Sequence, residues 1–454
     1  MTVETAQRRR VVIVDGARRH DIAVPPSAVV SDALAAVGLV LQPGRDVLLE
    51  TDGREIEPTS RVDDLRDGAV IVLVDLARAV AKGRRATVRR EARPSGAWWF
   101  VGGVAALLAV LTLVAPGALD SSTRQAAGVI TAGAALIAGV VFAARAPRAQ
   151  TQPHVAVVSI LLLAFAGGAG VVPTVPAAGV VLSVFTGLML AAAVAGVMGL
   201  VSGAPALSAE VRAAMVVLLV LAGVWGAALL LHLDVASAAA VTLGLAPVAH
   251  RVLVASLVDV APGTFIDYAR FQSTRWSVRQ QVPEEVRSID ADDADGLVAR
   301  STARLTAGTF TVVVAAGAAA FAAFPGFTGD DPLVLSGRIA LVVTVVLAFM
   351  LGARKSTVPS TRWMLRLGAA TVVVAVLRAV IPLADAGLLV MLAGVFLVVG
   401  AATALLVIPA GRGVQSLSWS RAGDAFEWIA IALSLPAGLL AADVVDAVRG
   451  MMAA

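Results

Sequence analysis

The chain contains no cysteine in its 454 residues. That excludes disulfides, thiolate metal sites and a cysteine nucleophile, and leaves the redox compartment open. Histidine is sparse: His20, His154, His232 and His250 are scattered, without the close spacing of a ligand set. Lysine occurs only at Lys82 and Lys355, so almost all positive charge is arginine. Charged residues make up 15% of the chain against 58% hydrophobic ones, and the mean hydropathy is +0.87. That balance marks a polytopic membrane protein and not an ordinary globular domain. The net charge of +4 says little about partners, because the charges gather in the first 93 residues and in later islands such as Asp267–Arg304. Arg8–Arg10 are followed by a short alternating stretch and not by an apolar h-region, so a secretory signal peptide is not expected.

What is present begins with a water-soluble pattern. Arg10–Val14 and His20–Val24 alternate about the turn Asp15-Gly16, a hairpin signature. Ser31 is the expected N-cap of a helix that places Val30, Ala33, Leu34, Val37 and Leu41 on one face, with Pro43-Gly44 ending it. Strands at Val47–Leu49, Arg54–Ile56 and Ala69–Val74 complete the unit. The order strand, strand, helix, strand, strand, strand is that of a β-grasp, in which one helix covers one face of a small sheet. Residues 1–77 therefore read as a soluble domain similar to ubiquitin. Its last strand runs on into a linker, which excludes a role as a conjugated tag and points to a tethered docking surface.

Residues 78–96 form a basic linker. Arg84, Arg85, Arg89 and Arg90 stand just before Trp98 and Trp99. Basic residues beside a membrane helix hold that end in the cytoplasm and attract anionic headgroups, while paired tryptophans suit the interfacial belt. These six residues are candidate lipid or partner contacts. Nucleic-acid binding is not expected, since the cluster abuts a membrane span and has no aromatic platform of its own.

A spanning helix needs roughly 20 apolar residues, which gives about eleven candidates in the membrane domain 97–454. They lie near 97–115, 125–144, 154–172, 175–201, 212–232, 235–257, 306–324, 333–353, 363–382, 387–408 and 425–446. Cationic residues fall on alternate connections, including Arg145, Arg148, Arg212, the segment 258–305, Arg354, Lys355, Arg362, Arg412 and Arg421. The positive-inside rule then places the N-terminus in the cytoplasm and the C-terminus outside. Arg124, Arg338, Arg378 and Arg449 are exceptions. Small residues abound, as in the GxxxG formed by Gly199 and Gly203, and predict tight helix packing.

The helix centres are nearly pure Val, Ala, Leu, Gly and Ile, whereas transporters keep ionisable groups within the bilayer. Glu427, Asp443, His232, Asp234, His250 and Arg251 all fall towards span ends and read as interfacial. The loop 258–305 is the longest polar stretch after the head. Its Asp290–Asp295 cluster lacks the alternate-ligand spacing and closing Glu of a calcium loop and reads as an acidic helix start. Arg270, Arg275, Trp276 and Arg279 form a mixed-charge surface there with Glu284 and Glu285, a candidate contact for another cytoplasmic subunit.

Head, basic linker, about eleven spans and an enlarged loop between the sixth and seventh together resemble the EccD membrane component of type VII (ESX) secretion systems. The resemblance covers nearly the whole chain and rests on this architecture. It implies a non-catalytic scaffold without cofactors, in the bacterial inner membrane. It also implies a second copy as partner, the two enclosing a lipid-lined cavity. The other implied partners are an EccC ATPase beside the head, with EccB and EccE. Competing readings are a secondary transporter with a regulatory β-grasp domain and, less well suited by such short outer loops, a membrane-embedded transferase.

Overall fold

The architecture is that of a computed structural model, which describes most of residues 9–75, 96–146, 154–173, 179–257, 291–324, 331–401 and 417–449. The chain divides into two compact units, one built on the N-terminal sheet and the other on the helices from Gly96 onward.

The head is a five-stranded sheet: β1 (Arg9–Asp15), β2 (Arg18–Val24), β3 (Asp46–Glu50), β4 (Glu55–Ile56) and β5 (Ala69–Asp75). Its strand order is β2-β1-β5-β3-β4, with β1 and β5 parallel and every other pair antiparallel. Helix α1 (Val30–Ala36) supplies Val30, Ala33 and Leu34 to a core with Val11, Ile13, Leu48 and Ile71. Alternation in β1 puts Val11 and Ile13 on the buried face and leaves Val12 and Val14 partly open. This is the expected β-grasp arrangement.

The helix itself corrects two expectations. Its N-cap is Val29, without a side-chain cap bond, and Ser31 lies inside the first turn. It ends at Ala36 rather than at Pro43-Gly44. Gly38 takes φ +77, and the Gly38 and Leu39 amides donate back to Ala35 and Leu34, at 3.0 Å each. This is a Schellman stop, for which glycine removes the cost of a left-handed backbone. Val37, Leu39 and Leu41 still pack against the core from beyond the helix.

Among the described residues, ten long helices follow the sheet: α2 (Gly96–Val114), α3 (Ser121–Arg145), α4 (His154–Val171), α5 (Gly179–Val201), α6 (Pro205–Leu230), α7 (Val235–Ala255), α8 (Ala291–Ala323), α9 (Pro332–Lys355), α10 (Pro359–Val380) and α11 (Leu417–Ala441). Each contains a segment long and apolar enough to cross a membrane. Helices satisfy their own backbone, as hydrocarbon demands. The described residues between 386 and 401 are also helical, where the remaining expected span lies, and the rest of that segment falls outside the described residues. Helix α8 reaches back from the apolar window into the polar stretch, because hydropathy marks the part that needs lipid and not the length of a helix.

Packing follows two groups. Helices α2 to α6 form one, with α4 touching α2, α3 and α5, and α5 touching α6. In the other, α11 lies against α9 and α7, and α10 against α9. The seams are close. A Cβ on Gly244 of α7 would fall 2.5 Å from the Ser434 carbonyl of α11, and one on Gly438 would fall 2.8 Å from the Ala240 carbonyl. Close backbone approach of this kind is how helices gain dispersion contact where lipid removes any hydrophobic drive to associate.

Candidate functional site

Among the described residues, three polar constellations sit between the membrane helices. The largest joins α7, α9 and α11. Lys355 Nζ lies 2.9 Å from Glu427 Oε2 and 3.3 Å from Asp424 Oδ1, while Arg354 reaches the same Asp424 oxygen at 2.5 Å. The Arg251 guanidinium stacks over the Trp428 ring, 4.4 Å from its centre. His250 Nδ1 and Thr309 Oγ1 are 3.4 Å apart. His250, Lys355, Thr361 and Glu427 line a cavity of about 190 Å³. Glu427 is buried among the helices, at 4% exposure, and opposite charge on α9 compensates it.

The second constellation joins α4 to α6. His154 Nδ1 stands 2.9 Å from Glu210 Oε1, and Glu210 is 1% exposed. Its other oxygen is buried without a hydrogen-bond partner. Reading the fifth span from residue 212 left Glu210 outside it. The helix in fact begins at Pro205, and a proline at the first helical position was the available signal.

The third ties α3 to the end of α4. Buried Arg124 donates to the Val172 carbonyl, where a cation meets the negative end of the helix dipole. Two more exceptions to the charge rule have local partners. Arg378 donates to the Phe321 carbonyl at 3.1 Å, and Arg449 pairs with Asp446 at 3.0 Å.

Of the sequence-derived contact residues, Trp98 and Trp99 are described and part company. Trp98 turns inward, edge-on to Phe142 at 5.8 Å and 76°, and its carbonyl accepts from the Ser159 hydroxyl at 2.8 Å. Trp99 faces outward at 64% exposure. Arg84, Arg85, Arg89, Arg90, Arg270, Arg275, Trp276 and Arg279 lie outside the described residues. Among the described residues no three His, Asp or Glu side chains converge as a metal site would require. In chemical terms, the ion pairs of Glu427 and Glu210 and the Arg124 and Arg378 contacts cross-link helices; among the described residues none of these presents a nucleophile with its base.

A family model described as an EccD-like transmembrane domain matches residues 96–451. No curated protein matches the chain. Among solved structures, the chain is similar to one titled protomer 1 of the ESX-3 core complex. Identity is 20%, over 97% of this chain and 99% of that one, with a TM-score of 0.49. A chain of an ESX-5 inner membrane complex free of MycP5 is 15% identical over 88% of this chain and 99% of its own, with a TM-score of 0.47. With the family match over residues 96–451 and ten apolar helices among the described residues within it, this multi-pass membrane protein belongs to the EccD family.

Proposed function

We propose that the chain is a structural subunit of a type VII secretion complex in the bacterial inner membrane. The observation that carries this reading is the EccD match over 96–451, behind a head with β-grasp topology. In this reading the chain performs no catalysis. Two copies pair in the membrane around a lipid-filled cavity, with an EccC-type ATPase, EccB and EccE as neighbours. The head, residues 1–77, docks the ATPase on the cytoplasmic side. The basic linker 78–96 marks that side, loop 258–305 shares it, and the C-terminus lies outside.

Surface and composition support the reading. Only 11% of the apolar window of α2 is buried within the chain, and 22% of that of α3. Phe100, Leu107 and Val110 are left to lipid or to another membrane chain. Arg270, Arg275, Trp276 and Arg279 remain proposed contacts with a cytoplasmic subunit, and Arg84, Arg85, Arg89 and Arg90 with lipid or partner.

The second reading, a secondary transporter with a regulatory β-grasp domain, draws on buried Glu427 beside the cavity between α7 and α9, since such groups often mark ion paths. Purification from native membranes separates the two. The scaffold reading expects an ATPase to come with the chain and the isolated chain to carry no solute flux in vesicles. Flux by the chain alone, with no ATPase retained, would overturn it.

A further inference from the structure

A second cavity, of about 390 Å³, opens between α6, α7 and α8. Its walls are almost entirely aliphatic, among them Val216, Val220 and Leu245, and its polar lining includes Arg212, Ser256 and Arg304. Those three share one end. Helices α6 and α7 are joined by the short turn at Leu231–Asp234, so Arg212 in α6 and the end of α7 lie at about the same level. The Ser301 hydroxyl donates to the Leu257 carbonyl at 3.1 Å, and Gly308 packs on Leu253, which brings the Arg304 turn of α8 to that level too.

Depth and chemistry then agree. The helical rise from Arg212 to Leu221 is about 14 Å. Half of a hydrocarbon core of about 30 Å is about 15 Å, the reach of one acyl chain in one leaflet. Val216 and Val220 are 55% and 46% exposed, so the crevice opens sideways to the bilayer. An empty apolar crevice forfeits dispersion contacts along its lining. Lipid tails are the available filler, and the Arg212 guanidinium at the mouth selects among headgroups by charge and by bidentate geometry.

We infer that the crevice between α6, α7 and α8 binds an anionic phospholipid, one acyl chain along Val216 and Val220 and its headgroup phosphate at Arg212. The site belongs to one protomer and does not depend on which chains assemble around it. Its occupant holds α6 against α7 and α8 as a fixed part of the fold.

The test uses the full chain in phosphatidylcholine vesicles, doped in turn with phosphatidylglycerol and phosphatidylcholine carrying a nitroxide on one acyl chain. The motionally restricted spin-label fraction reports bound lipid. The expected preference for phosphatidylglycerol is about fivefold, near the value of one arginine at a membrane surface. Arg212→Gln removes most of that preference and Arg212→Lys retains it. Val220→Trp, at a lipid-exposed position, fills the groove and lowers retention of both lipids. Equal restriction of the two lipids by the wild-type chain overturns the inference. So does unchanged preference in Arg212→Gln, or retention in Val220→Trp matching the wild type, either of which signals ordinary annular contact.

Discussion

Lys355, the last residue of α9, places its ammonium 2.9 Å from a carboxylate oxygen of Glu427 in α11, and the acid is almost wholly buried while the base is 37% exposed. The asymmetry decides what each side contributes. A buried carboxylate without its cation is costly, whereas a half-exposed ammonium without its anion rehydrates.

Lys355→Met is therefore expected to lower stability by about 1–3 kcal/mol, less than for a wholly buried pair because Lys355 reaches solvent. Glu427→Gln is expected to cost less. The combination Lys355→Met with Glu427→Gln should recover much of the loss, as read by thermal unfolding in detergent. Equal costs for the two single changes would contradict the assignment of the buried charge to Glu427.

The α7–α11 seam depends on the absence of a side chain. Gly244→Ala would set a methyl 2.5 Å from the Ser434 carbonyl and is expected to destabilise by about 1–3 kcal/mol through forced separation of the helices. Gly103→Ala, where nothing lies within 4 Å, should be neutral or mildly stabilising. Melting temperatures of the two variants compared side by side check this.

The turn between α6 and α7 carries strain that glycine would relieve. His232 has φ 53, and the Leu233 amide donates to Ala228 O at 2.9 Å in the manner of a Schellman stop. His232→Gly is expected to stabilise the hairpin by about 1 kcal/mol. Slower amide exchange at residues 229–233 is the readout, and faster exchange would refute the idea.

Asp120 caps α3 from outside the membrane span. Its carboxylate accepts from the Ser122 hydroxyl at 2.5 Å and the Thr123 amide at 3.0 Å, and these bonds lower its pKa to about 2 from an ordinary 3.8. A depressed acid lends stability above its ordinary pKa and loses it as pH falls through the depressed value. Protection of the first α3 amides should thus persist to pH near 4 and fade towards pH 2. Asp120→Asn, a neutral cap, should show a flat profile over the same range.

The head is predicted to be separable from insertion. Its core of Val11, Ile13, Leu34, Leu48 and Ile71 is complete within residues 9–75. Deletion of residues 1–77 should leave membrane integration intact while reducing ATPase co-purification about tenfold, the loss of about 1.4 kcal/mol of binding. Undiminished co-purification would remove the docking role.

Periodicity made the elements legible. Strict alternation in Arg9–Asp15 and uninterrupted apolar runs such as Gly179–Val201 need only local chemistry to be read, because each pattern matches one backbone geometry. Helix ends were read less well. Pro43-Gly44 looked like the stop of α1, but Gly38 reached the left-handed conformation first. Glu210 is not legible from hydropathy, which stops where charge begins, while α6 starts at Pro205. The GxxxG at Gly199 and Gly203 predicts tight packing without naming a seam: Gly199 meets the side chains of Val211 and Arg212, and backbone approaches backbone at Gly128 with Gly170 and at Gly244 with Gly438, among others.

The sequence by itself determined a β-grasp head, a membrane domain of long apolar helices and the EccD resemblance, since composition and period act within a single element. Which glycine meets which carbonyl, which cation neutralises Glu427, and where three helices stand apart far enough to admit a lipid chain were decided only by the tertiary structure. Those relations join residues far apart in the chain, and an Ala-, Val- and Gly-rich alphabet offers many nearly equal pairings until the helices are packed.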